Sequence, residues 1–196
     1  DHGISISKVT AIPAQAIDAS DTLAMGASLY ELSVATAPAP FTTWTLLPNA
    51  HGITFSNGGI VRYGSDRFLI GGGTPGNLPK LTFTALGASF STETLPTLAT
   101  GYISAAAHDP VAKRWVAGTS AGQIIYMDEE DGIWRLSAYA MPSGVAVKGI
   151  QFDGIQFVAA GSHAVSSGLG IIVTSPTGET WTVRPTAELI NAQALE

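Results

Sequence analysis

Four histidines, one acidic run and one glycine-rich stretch are the places where this sequence could carry chemistry. His2, His51, His108 and His163 share no His-x-x-x-His or similar metal spacing, so loop or structural roles are expected of them. In "HDP", Asp109 and Pro110 beside His108 mark a turn rather than a catalytic pair. The acidic stretch "DEEDG", Asp128 to Gly132, lacks the alternating ligand positions of a calcium loop and reads as a solvated hairpin turn. "GGGTPGN" has no Lys-Ser or Lys-Thr with which to hold a triphosphate, and no GxSxG elbow occurs anywhere. No catalytic set, metal site or cofactor is expected.

The elements that position these residues repeat. A short β run, a polar turn and an aromatic followed by a polar residue recur at Trp44, Phe90, Trp134 and Trp181, with spacings of 46, 44 and 47. A small-residue run closing on glycine recurs at Gly26, Gly72, Gly118 and Gly161, with intervals of 46, 46 and 43. Two markers sharing a period of about 45 residues are the signature of a four-stranded propeller blade. The expectation is an all-β chain, a β-propeller of about four four-stranded blades, with a β-sandwich of unrelated hairpins as the alternative. One domain spans 1–185, with blades near 10–48, 52–94, 101–137 and 148–185. The tail 186–196 has good helix formers after Thr186 and reads as helical or expression-derived. The four aromatics are expected to be structural, each opening the outer strand of its blade and packing over the preceding turn.

Composition narrows the function. Cysteine is absent, charged residues are 12% of the chain, and the net charge of −6 provides no basic footprint for a phosphate backbone, so no nucleic-acid partner is expected. No apolar run reaches the roughly 20 residues that cross a bilayer, so no membrane insertion is expected.

"SPTGETW", Ser175 to Trp181, resembles the Asp-box or BNR turn of the form SxDGxTW, and "GIQFDGIQFVAAG" before it is similar to the strand pair that accompanies that turn in BNR-like propellers. Thr177 stands in the place of the Asp; "DEEDGIW" keeps Asp131, Gly132 and Trp134 but is one residue short. Loss of an Asp that normally braces the turn through backbone hydrogen bonds predicts a turn held by packing instead. Such repeats occur in sialidases, in photosystem assembly factors and in bacterial and phage surface or tail proteins. A sialidase resemblance implies three convergent arginines and an early Arg-Ile-Pro segment. This chain has no Arg-Ile-Pro, and of Arg62, Arg67, Arg114, Arg135 and Arg184 only Arg62 falls on a predicted inner strand facing the central channel. A non-catalytic module is therefore expected.

The second-to-third strand loops and inter-blade connections read as long, as in "GSHAVSSGLG" and "AYAMPSGVAVKG", whereas the turns at the other end, such as "GSDR", are short. Binding residues concentrate on loops carried by a rigid scaffold. The long-loop face offers His51, Asn57, Asn77, Tyr102, Tyr139 and His163 as ligand-binding candidates. Expected partners are a cell-surface glycan or receptor, with other virion or assembly proteins as the alternative and a glycosidase-like enzyme third. The setting expected from the resemblance is extracellular or virion, with closure of the ring within one chain or in a homo-oligomer left open.

Overall fold

Short runs of Val, Ile, Ala and Thr, broken by Gly, Asp and Ser, favour strands joined by tight turns, and the computed structural model is built of them. It describes residues 22–26, 34–38, 45–47, 60–74, 76, 78–84, 90–163 and 170–185. Among these there is no helix, and every strand belongs to an antiparallel meander whose neighbours follow chain order. The first sheet holds β1 (Thr22–Gly26), β2 (Val34–Pro38) and β3 (Thr45–Leu47). The second holds β4 (Ile60–Gly64), β5 (Arg67–Gly73), β6 (Pro79–Thr84) and β7 (Phe90–Thr92). The third holds β8 (Ile103–Asp109), β9 (Arg114–Thr119), β10 (Gln123–Asp128) and β11 (Ile133–Ala140). The fourth holds β12 (Val145–Phe152), β13 (Phe157–His163), β14 (Gly170–Ser175) and β15 (Thr182–Arg184).

The first strand of each four-stranded sheet lies innermost, with β8 packed between β4 and β12. Both faces of the third sheet are covered, which is why β9 reads "RWVAGT" without polar alternation. Trp115 and Ala117 pack towards the second sheet with Leu69, Leu81 and Phe83. Val116 points the other way, into a cluster with Val147, Ile150, Phe157 and Val173 of the fourth sheet. The cores thus lie between sheets, and fully burying a side chain such as Ile125 contributes about 1.5–3 kcal/mol.

The recurrent glycine has a physical reason. A Cβ built on Gly118 would collide with Val147 of the next sheet, and one on Gly71 would sit 2.7 Å from Ile103 Cγ2. The glycine lets the following inner strand press against the second strand of its neighbour, and in the second sheet Gly71 rather than Gly72 takes that part. Arginines tie the same seams from the turn end. Arg114 grips Asp128 with Nε and Nη2 at 2.6 and 3.0 Å, and its Nη1 donates to Thr177 O at 2.5 Å and Glu179 Oε1 at 2.9 Å.

Three of the repeat aromatics stand at the start of outer strands: Phe90 begins β7, Trp134 is the second residue of β11, and Trp181 immediately precedes β15. Trp134 is buried, whereas Phe90 and Trp181 are half-buried. Trp44 and the tail 186–196 lie outside the described residues. The turn after β14 corrects one expectation. Packing alone does not replace the missing Asp: the buried Ser175 Oγ accepts from Gly178 N at 2.6 Å and Thr177 N at 3.2 Å, and Trp181 Nε1 donates to Gly178 O at 3.0 Å. Gly178, at φ +77°, sits against Val116 of the third sheet.

Strand limits also differ from expectation. β11 runs to Ala140 and β12 starts at Val145 rather than 148, so "AYAMPSGVAVKG" is mostly strand around a short connection. The physical reason is that Met141 N donates to Gly122 O and Val145 N to Pro142 O, which carries pairing up to a tight turn.

Candidate functional site

The inner strands β4, β8 and β12 end side by side, and a cavity of about 400 Å³ opens there. Its polar lining comes from Arg62, Tyr63, Ser65, His108 and Gln151, and Phe152 supplies an apolar wall. This volume lies within the range of ligand clefts, and a few polar groups beside aromatic faces are their usual lining. The two-residue turn Ser65–Asp66 has φ of 48° and 56°, which brings β5 straight back beside β4 and leaves Ser65 projecting at the rim.

Arg62 reaches across the seam between sheets. Its Nε donates to Ala106 O at 3.1 Å and its Nη1 to Val61 O at 3.0 Å, and burial lowers its pKa, although a guanidinium keeps its charge. Tyr63 lies against Phe68, with ring centroids 5.2 Å apart, and its hydroxyl donates to Asp66 Oδ1 at 3.1 Å.

Beside the cavity, Glu129 gathers a cluster. Ser65 Oγ donates to Glu129 Oε2 at 2.7 Å, Trp115 Nε1 to Oε1 at 2.7 Å, and His108 Nε2 lies 3.2 Å from Oε1. Arg67 adds its charge at 3.6 Å while stacking 3.7 Å over the Phe83 ring. Burial pushes the Glu129 carboxyl up, but the hydrogen bonds from Ser65 and Trp115 and the charge interactions with His108 and Arg67 outweigh it and hold the group below the usual carboxylate range. Burial against Trp115 and Gly64 holds the His108 imidazole below the usual histidine range, in spite of the pull of Glu129. Ser65 and Glu129 both meet this ring at Nε2. A nucleophile relay needs serine and carboxylate on opposite ring nitrogens, so the cluster is arranged as an inter-sheet tie. Asp109 is engaged in its own turn, where Oδ1 accepts from Val111 N at 2.8 Å and Ala112 N at 3.0 Å. Among the described residues no group of three His, Asp or Glu side chains is placed to hold a metal ion.

The loop-face candidates fall elsewhere. Tyr102 immediately precedes β8, and Tyr139 lies within β11 rather than on an inter-blade loop; both are at the end of the third sheet opposite the cavity, separated by the width of the sheet. The side chain of His163 is not described, though the residue ends β13; His51, Asn57 and Asn77 lie outside the described residues. Of the cavity residues, the sequence singled out Arg62 as channel-facing. Tyr63, Ser65, Gln151 and Phe152 were missed, and the signal that could have found them is their shared position at the end of the first strand of a repeat.

No protein-family model matches the chain, and no curated protein matches it in sequence. Solved structures do match in shape. A GH74 xyloglucanase from Xanthomonas campestris superposes with a TM-score of 0.65 at 14% identity, over 87% of this chain and 29% of that one. An auxiliary nutrient binding protein from Bacteroides thetaiotaomicron gives 0.62 at 11% identity, over 89% and 41%. YCF48 from Cyanidioschyzon merolae gives 0.55 at 13% identity, over 86% and 57%. The chain thus spans less than two thirds of the length of each of these proteins. Sheets of four antiparallel strands, innermost strand first, and these shared shapes give the chain a β-propeller fold.

Proposed function

We propose that the chain is a non-catalytic recognition module, a propeller of four Asp-box-like blades that binds a glycan of a cell surface, in an extracellular or virion setting such as a phage tail. The observation that carries this reading is the cavity at the ends of β4, β8 and β12, where the Tyr63 and Phe152 rings stand beside the polar groups of Ser65, His108 and Gln151. Aromatic faces stack on the C–H faces of a sugar while polar side chains bind its hydroxyls. A glycan array, followed by titration of the best ligand, tests it. Saturable binding is expected, and Gln151→Ala should weaken it by about 1 kcal/mol or more, the loss of a typical net hydrogen bond. Binding lost with Tyr102→Ala or Tyr139→Ala but not with Gln151→Ala would instead move the ligand to the loop face.

A second reading, assembly with a protein partner alone, is favoured by exposed apolar side chains at the cavity end, two on turns and one at the start of β11. Val111, Ile133 and Ile155 are 87, 56 and 83% exposed. Absence of glycan binding together with a co-purifying partner, released by Val111→Asp and Ile155→Asp, would decide for it.

A further inference from the structure

We infer that the cavity recognises a carboxylate, and that Arg62 is the residue that receives it. The inference rests on the cavity being the sugar-binding site and adds the chemical class of the sugar: an acidic one. Arg62 is half-buried and, among the described residues, has no carboxylate within ion-pair distance. Arg67 and Arg135 each have one, Arg114 has two, and Arg184 is exposed. A cation withdrawn from water and left without a counter-charge is costly, and such charges are normally paired.

The arginine is also aimed. Its bonds from Nε to Ala106 O and from Nη1 to Val61 O fix the guanidinium plane across the β4–β8 seam. A guanidinium carries five N–H donors; these two bonds use one on Nε and one on Nη1, which leaves the Nη2 hydrogens to donate to a carboxylate. The acidic groups around the seam have other partners: Glu129 holds Ser65, Trp115, His108 and Arg67, Asp109 accepts from Val111 N and Ala112 N, and Asp66 accepts from the Tyr63 hydroxyl. In a chain of net charge −6, a positive point inside a cleft selects for an anion against the surrounding field.

Calorimetric titration of the whole chain with sodium glucuronate, sodium galacturonate, glucose, galactose and sodium sulfate tests this, with the Arg62 Nε–H resonance followed in parallel. At least one uronate is expected to bind ten-fold or more tightly than its neutral counterpart, to weaken with added salt, and to shift the Arg62 resonance. Arg62→Gln should remove the preference, and Arg62→Lys should keep only part of it. Equal binding of uronate and neutral sugar, or undiminished uronate binding in Arg62→Gln, would overturn the carboxylate assignment and leave the sugar site standing. Sulfate binding at Arg62 with no sugar bound would retain the anion site and overturn the sugar reading. No binding by any probe would overturn both. If Arg62→Gln fails to fold, the comparison of glucuronate with glucose on the native chain still decides.

Discussion

Glu129 shows how much one side chain can join: it holds Ser65 and Arg67 of the second sheet to Trp115 and His108 of the third. The groups facing His108 are Glu129, Asp109, Arg67 and Ser65, and burial is the leading reason its pKa lies below the ordinary value. A folded-state pKa below the unfolded one means that the unfolded chain takes up the proton first as pH falls. Stability from this site is therefore fully present above about pH 6.5 and is lost on acidification towards the depressed value. Glu129, also held low, adds a further loss at more acid pH, as the unfolded carboxyl protonates before the folded one. The urea midpoint should be lower at pH 5.5 than at pH 7.5, and His108→Gln should flatten that difference. An equally steep pH dependence in the variant would assign the effect to another group. None of this was legible in "HDP" or "DEEDG". The sequence suggests a turn at each, correctly, but the pairing of two distant turns depends on the register of two neighbouring sheets.

At the scale of strands, the recurring glycine was legible as a marker, while its cause lay in the next sheet. Gly118 is where Val147 of β12 reaches the backbone of β9. Gly118→Ala should destabilise the fold by about 1–3 kcal/mol, the usual cost of overpacking a filled core. Val147→Ala in the same chain should return part of that loss, because the two changes share one contact. Gly76→Ala, where the nearest atom to a new Cβ is 3.9 Å away, serves as the comparison and should change the denaturation midpoint little. Equal effects of the two alanines would remove the close approach as the explanation. The aromatic marker is more local, since the place of Phe90, Trp134 and Trp181 at the start of an outer strand is a property of turn and strand. Strand limits were not: "AYAMPSG" carries the punctuation of a loop, yet Ala138 N donates to Glu179 O of the neighbouring sheet and Met141 N to Gly122 O. The longer-range partner keeps the strand going where local signals would end it. The expected polar face rested on loop lengths, whereas the cavity is built from strand ends, which loop lengths do not report.

For the whole molecule the question is where the cooperativity lies. Apolar clusters fill both seams of the third sheet, one against the second sheet and one against the fourth. Neither sheet can leave without exposing buried side chains of β9, among them Trp115 and Val116, both fully buried. The outer strands are different. β15 is three residues long and exposed throughout, and β7 is equally short with two exposed positions. Local opening costs little where few apolar contacts are lost, whereas a strand with both faces covered opens only with the whole domain. Hydrogen exchange of the native chain should therefore rank amides from the inside outwards. Those of β8 and β9 should exchange with the free energy of global unfolding and follow the denaturant dependence of the midpoint, while those of β15 should exchange far faster and with almost no denaturant dependence. Exchange in β8 as fast as in β15 would mean that the sheets open independently, and the seams filled by Trp115 and Val147 would then not be what holds the propeller together.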